Sequence, residues 1–342
     1  MKTLSLLGTL GLAAVLGLSS GCGKKDDGGK PTVAFVTNQV ASFWNIAEKG
    51  ANDAANDPKI NVNVVVRMPS QATPEDQKRI VQELLARGDI KGIAISPLKP
   101  DVQGELLEEI AARTNGNLIT HDSDAPKSKR LCYVGMDNYE AGLMCGQLVR
   151  KALPDGGEVM IFVGRLGQAN ARLRRQGVID AVLGRKPDRN RSDPVEGVLR
   201  EGKYTILGTE LDGGDNDKAR QKAQEAITNH RNLACMVGLF AYNPPILLDE
   251  VRRAGKLKKL KIVGFDEHDD TLKGIVDGDV VGTVVQDPYR YGYDSVRILA
   301  ALARGDRSVL PKDGVLTIPA RTIDRDNVQQ FWGELKSKLG KS

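Results

Sequence analysis

The chain has 342 residues, 40% of them hydrophobic and 27% charged, with a formal net charge of +5. That balance excludes a disordered or membrane-embedded chain, and the length suits two domains of ordinary size better than one. Lys2 and a lysine-rich tail nearly account for the positive surplus, and residues 172–191 read as a solvated basic helix face with the loop after it. With no long one-sided basic stripe, no nucleic-acid partner is expected.

Residues 1–22 read as a targeting segment. Lys2 gives the positive start, Leu4 to Leu18 a short apolar stretch broken by glycines, and LSSGC the end. The stretch is too short and too interrupted to anchor across a bilayer. Its ending resembles a bacterial lipobox, which implies that Cys22 is acylated and becomes the mature N-terminus; Ser19 stands three places before it, with Leu18 one further away. Residues 23–30 follow as a flexible tether with nothing apolar to bury, expected to be disordered.

From residue 32, short β-rich runs alternate with helical periodicities. TVAFV leads to a helix near 43–56. NVNVVV leads to TPEDQKRIVQELLAR, where Thr73 caps, Pro74 takes the first turn, and Ile80, Val81, Leu84 and Leu85 line one face. GIAIS precedes a helix near 101–113, and NLITH and LCYVG follow. A helix near 138–152 leads to EVMIFVG, a helix near 169–183, YTILGTEL, a helix near 216–229, LACMVGLF, a helix near 246–254 and LKIVGF. A short helix, VVGTVVQ and a helix near 289–303 complete the series. Unbroken Val/Ile/Leu runs separated by helices predict parallel strands buried on both faces, too many for one small sheet. The predicted fold class is α/β, with two doubly wound parallel-sheet domains. Residues 184–203, polar and proline-bearing, read as a surface excursion of the second. Cys132, Cys145 and Cys235 lie in apolar runs without zinc spacing and read as buried thiols, a bridge between two of them remaining open.

In open parallel sheets, ligands bind beyond the carboxyl ends of the strands. After TVAFV come Asn38, Phe43 and Trp44, and after NLITH comes Asp122 with Ser123 beside it. The helix after EVMIFVG opens with Asn170 and Arg172, and Asn216 opens the helix after YTILGTEL. LACMVGLF is followed by Asn243, LKIVGF by Asp266 and VVGTVV by Gln286. Amides, two carboxylates and an arginine suit a neutral polyhydroxylated molecule, since together they donate to and accept from hydroxyls. Flat rings at Phe43 and Trp44 suit the C–H face of a pyranose. Duller readings stay open at this level: Asp122 as a helix cap, Phe43 or Trp44 as a packing staple, Arg172 as a solvated cation.

Signals for an enzyme are missing. The turn after the first strand has no glycine, no P-loop pattern occurs, and His121, His230 and His268 lie in different units without metal spacing. Neither a catalytic residue nor a cofactor nor a metal is expected. A DNA-binding regulator would need a helix-turn-helix before residue 30, where the export signal stands.

The order VAFVTNQ…FW, LITHDSDAP, YVGMDNYEAG, NARLRRQG, GLFAYNPP, IVGFD, VVQDP resembles the bacterial ribose/galactose-type periplasmic sugar-binding proteins. Their fold is shared with the sensor half of lactose-repressor-type regulators. The resemblance runs from about residue 31 to 320. It implies a type I periplasmic binding protein, with an N-terminal lobe of residues 31–136 plus 287–318 and a C-terminal lobe of residues 137–286 plus 319–342. A three-segment hinge would cross near Tyr133–Asn138, Gln286–Pro288 and Leu316–Ala320, with Asp137-Asn138 at the first crossover. It also implies Phe43 and Trp44 as the ring-stacking pair, Asp122 and Asp266 as hydroxyl acceptors, Arg172 as the arginine of an R-x-R motif, Asn243 as an amide ligand and Gln286 as the hinge glutamine. Ala41 and Ser123 stand where the ribose-type pattern has asparagine and arginine, which leaves the sugar, pentose or hexose, open. The implied function is capture of a monosaccharide by a monomeric hinged clamp and delivery to an ATP-driven inner-membrane (ABC) permease. The protein would sit in the periplasm, held at the cell envelope by its lipid. A sugar-sensing subunit for a receptor kinase or chemoreceptor is the alternative.

Overall fold

Apolar runs that offer no polar face must be covered on both sides, and here each becomes a strand sandwiched between helices. A computed structural model describes residues 29–340; the targeting segment, Cys22 and the tether to residue 28 lie outside the described residues. The first series is β1 (Thr32–Val36), α1 (Ser42–Asn56), β2 (Asn63–Arg67), α2 (Pro74–Ala86), β3 (Ile90–Ile95), α3 (Gly104–Arg113), β4 (Leu118–His121) and β5 (Cys132–Gly135). The second is α4 (Asn138–Ala152), β6 (Gly157–Val163), α5 (Ala169–Leu183), β7 (Leu199–Glu201), β8 (Tyr204–Leu211), α6 (Asn216–Asn229), β9 (Leu233–Gly238), α7 (Asn243–Arg253), β10 (Lys261–Phe265), α8 (Asp269–Asp277) and β11 (Gly282–Val285). The chain closes with α9 (Pro288–Ala303), β12 (Val315–Thr317), β13 (Arg321–Asp324) and α10 (Val328–Lys338).

Two sheets result, ordered β12-β5-β4-β3-β1-β2 and β13-β11-β10-β9-β6-β8-β7. The first is parallel throughout; in the second only the outermost pairs, β11 with β13 and β7 with β8, are antiparallel. The chain passes between the sheets three times, after β5, after β11 and after β12. In each sheet the strand order reverses beside a central strand, β1 in one and β6 in the other, and the crevice outside such a reversal is where doubly wound folds bind ligands.

The local signals act as expected in α2, where Thr73 accepts from the Asp76 N–H at 3.2 Å, Pro74 occupies the first turn, and Ile80, Val81, Leu84 and Leu85 are buried. Other boundaries move for physical reasons. Helix α7 begins at Asn243 because Pro244 and Pro245 fill a first turn that needs no N–H donors. Helix α3 begins only at Gly104, after a turn in which Val102 and Gln103 both donate to the Lys99 carbonyl. Strand β7 lies inside the expected surface excursion, and β12, β13 and α10 complete the edges. Cys132, Cys145 and Cys235 are buried and free, without a bridge.

Two features carry the fold toward the cleft. Gln77 of α2, fully buried, donates to the carbonyls of Thr37 (2.8 Å) and Ser96 (2.9 Å), and Gln103 donates to its oxygen at 2.8 Å. These bonds pin the loops leaving β1 and β3. Helices α1 and α9 cross at Gly50 and Gly292; a β-carbon on Gly50 would overlap the Tyr289 carbonyl, and one on Gly292 the Ala47 carbonyl. That crossing fixes the first turn of α1, which bears Phe43 and Trp44. Among the described residues no helix is long and apolar enough to cross a membrane.

Candidate functional site

Loops at the carboxyl ends of strands from both sheets open onto one cavity of about 660 Å³. The two buried acids at its floor are built by the same device. Asp122 follows β4 and Asp266 follows β10, each with positive φ (58° and 65°), a left-handed turn that a short polar residue tolerates better than most. The Asp122 N–H donates to the Val134 carbonyl, and its own carbonyl accepts the Tyr133 hydroxyl at 2.9 Å. The Asp266 N–H donates to the Val284 carbonyl, and its carbonyl accepts the Thr283 hydroxyl at 2.8 Å. The neighbouring strand thus holds each turn by its backbone and by a hydroxyl.

Between the acids stands Arg174, its side chain only 1% exposed. Nε donates to Asn138 at 2.9 Å, Nη1 donates to the Leu239 carbonyl at 3.2 Å, and the guanidinium lies 4.3 Å over the Phe265 ring. It is 3.6 Å from the Asp122 carboxylate and 3.9 Å from that of Asp266, ion-pair distances too long for hydrogen bonds. Nη2 has no hydrogen-bond partner among the described residues. A buried donor left unbonded is costly, and Arg174 is among the residues that line the cavity.

Polar chains run from each acid. Trp44 Nε1 donates to Asn38 (3.1 Å), Asn38 to the Ser96 hydroxyl (3.1 Å), and that hydroxyl to Asp122 (3.2 Å). Asn170, from the other sheet's layer, also donates to Asp122, at 3.0 Å. On the opposite side Gln286 donates to Asp266 at 2.7 Å and accepts from Tyr291 of α9 at 3.0 Å. Burial pushes the Asp266 carboxyl up to about 6 against the pull of Arg174 and Gln286, and burial raises Asp122 in the same direction. Glu267, next in sequence, is buried with both carboxyl oxygens unbonded among the described residues; burial and the adjacent Asp266 hold it well above the usual carboxylate range. His121, which burial lowers to about 3 and so keeps neutral, stacks on Phe35 at 4.1 Å and meets Trp44 edge-on at 5.5 Å.

Eight of the eleven residues singled out at the strand ends line the cavity: Asn38, Phe43, Trp44, Asp122, Asn170, Asn216, Asp266 and Gln286. The other three do not. Arg172 points outward, 44% exposed, donating to the Leu166 and Gly167 carbonyls of its own loop, 3.9 Å from Asp101; the arginine at the floor is Arg174. Ser123 is fully buried outside the lining, because the left-handed turn at Asp122 directs the next residue away. The Asn243 amide donates to Asp212 at 3.0 Å while its oxygen accepts from the Phe240 N–H, so it shapes the turn after β9.

Sequence reasoning missed Arg165, Gln168, Phe240 and Tyr242, all of which line the cavity. The rule that selected the others would have found them, since they follow β6 and β9 directly. Phe240 and Tyr242 stack nearly parallel (12°) across the cleft from Phe43 and Trp44, giving it a second aromatic wall. Among the described residues no group of acids, histidines and cysteines could hold a metal ion.

Comparison with known proteins agrees with this geometry. The family described as periplasmic binding protein domain matches residues 33–307. The ribose import binding protein RbsB of Escherichia coli is 27% identical over 282 residues, which cover 81% of this chain and 86% of RbsB. A D-ribose/D-allose-binding protein of Pseudomonas aeruginosa is 25% identical over 304 residues, covering 86% of this chain and 89% of the relative. An ABC transporter solute binding protein from Burkholderia graminis, solved in complex with D-arabinose, matches with a TM-score of 0.78 at 26% identity, covering 88% of this chain and 97% of that one.

Proposed function

The chain belongs to the periplasmic binding protein family, and on that footing we propose that it captures a sugar in the cleft between its lobes and hands it to an ATP-driven import permease. The carrying observation is Arg174, set between Asp122 and Asp266 with its Nη2 unbonded. A carboxylate, a guanidinium and a second carboxylate in sequence match adjacent hydroxyls, which donate to the acids and accept from the arginine. The aromatic walls suit the ring's C–H faces. The residues acting on the sugar are Asn38, Phe43, Trp44, Asp122, Asn170, Arg174, Asp266 and Gln286, and no step of bond making or breaking is required of any of them. The family and these relatives are binding proteins, and the periplasm is the family's compartment.

Titration calorimetry of the mature protein against pentoses and hexoses is expected to give a micromolar or tighter complex, about −8 kcal/mol or better. Trp44 lies in the cleft wall while Trp332 bonds Asp269 elsewhere, so a Trp332→Phe variant should report the same event by fluorescence. The affinity depends on pH with a defined sign. Sugar hydroxyls favour ionised Asp266, so affinity falls as pH drops through about 6, and binding near that pH releases a proton. The raised carboxyl also makes the empty fold lose stability as pH rises from the unfolded value toward 6, so the ligand-induced thermal shift grows over the same window. Equal affinity at pH 5 and 7.5, or no sugar bound at either, would count against the site as drawn.

Acylation of Cys22 would hold the protein at the envelope, the tether giving it reach to the permease. A Cys22→Ser precursor, expressed in a Gram-negative host, is expected to leave the membrane pellet and appear in the soluble envelope fraction with its sugar affinity unchanged. A variant that stays in the pellet would mean that something other than this lipid holds it.

A further inference from the structure

A second cavity of about 400 Å³ opens off the cleft and shares Asn216, Tyr242 and His268 with it. Its walls are the start of α6, the α7 face bearing Ile246, Leu248 and Asp249, and Lys273 of α8. All of these belong to the second sheet's layer, so hinge closure neither forms nor removes this chamber. The floor of the main cleft, by contrast, is already bridged by Asn170 bonding Asp122. The cavity above that floor holds about 660 Å³ and stays open to solvent. It sits in the middle of the roughly 300–1,000 Å³ that house drug-sized ligands, and one sugar ring is smaller than such a ligand.

The two cavities meet at Asn216, Tyr242 and His268, an uncharged polar set unlike the acid–arginine floor. His268 Nδ1 accepts from the Asp270 N–H at 3.2 Å, which in the neutral ring leaves Nε2–H as a donor on a residue that lines both cavities. The Asn216 amide makes no hydrogen bond among the described residues, and the Tyr242 ring lies beside it on the wall. An amide, an imidazole donor and an aromatic face suit a second hydroxylated ring.

We propose that the ligand is a glycoside, in its simplest form a disaccharide, with one ring on the Asp122–Arg174–Asp266 floor and the other passing Tyr242 into the side chamber. This rests on the sugar-binding reading and extends it. The test is calorimetry of the mature protein with glucose, galactose, ribose and arabinose, and with maltose, cellobiose, lactose and phenyl glycosides. At least one glycoside is expected to bind about tenfold or more tighter than its component monosaccharide. Lys273→Trp, which plugs the chamber without reaching the floor, is expected to remove that gain while changing monosaccharide affinity by no more than about twofold. Asp249→Trp, on the opposite wall, should do the same, so misfolding of one variant leaves the test intact. If monosaccharides bind and no glycoside binds better, or if the gain survives both tryptophans, the extended ligand is overturned and the sugar-binding reading stands. If no saccharide of either size binds, the reading falls and the inference with it.

Discussion

Replacing Arg174 by methionine is expected to weaken sugar binding at least about 100-fold, close to 3 kcal/mol. Its guanidinium is buried between two carboxylates, and methionine keeps much of the volume while removing the charge. Taking one partner from a buried ion pair typically costs about 3–5 kcal/mol, because the other charge stays buried without compensation. Asp122 and Asp266 would respond by holding protons at neutral pH, and a protonated carboxyl accepts hydroxyl hydrogens poorly. The variant therefore loses a donor to the sugar and two acceptors together. Arg172→Ala is the informative control. Its guanidinium is 44% exposed and bonded to its own loop, so affinity should stay within about threefold of the wild type. Calorimetry on both, with a thermal melt to establish that each is folded, decides it. Retained affinity in a folded Arg174→Met protein, or loss in Arg172→Ala, would reverse the roles given to the two arginines.

The second large effect is on the fold. Gly292→Ala is expected to destabilise the protein by about 3 kcal/mol or more, because overpacking reaches its upper range when the obstacle is backbone. The new methyl group would meet the Ala47 carbonyl of α1, which has no rotamer by which to withdraw. In a protein of this size that lowers the melting temperature by at least about 4 °C, and the displaced α1 takes Phe43 and Trp44 with it, so sugar affinity should fall as well. Gly333→Ala in α10, where an added methyl group meets nothing within 4 Å, should be neutral or slightly stabilising. Equal melting temperatures for the two variants would mean that the α1–α9 crossing is looser than drawn.

The two arginines also show where reading a sequence reaches its limit. Residues 172 and 174 are separated by about 200° around a helix, so one faces in when the other faces out. Telling which requires an apolar stripe, and α5 has none: Asn170, Ala171 and everything from Arg174 to Asp180 are buried, polar residues included. The long strands were legible because their burial leaves no polar face. Strand β7, with Arg200 and Glu201 exposed at a sheet edge, carries no such signature. Asp122 and Asp266 were found by position alone, as the residues just beyond β4 and β10. The left-handed turns that aim them, and that carry Ser123 out of the site, are settled by the strands alongside, at Val134 and Val284. Asn243 had the right chemistry at the right strand end, and only its partner Asp212, far away in sequence, reveals that the amide is already engaged.

The mirrored turns at Asp122 and Asp266 have one more result. Each half of the molecule brings a buried anion to the floor, and Arg174 stands within ion-pair distance of both. Without a guest the two carboxylates share that single guanidinium, so part of their mutual repulsion stays uncompensated. A guest whose hydroxyls donate to both anions spreads that charge over new hydrogen bonds, which favours the occupied floor over the empty one.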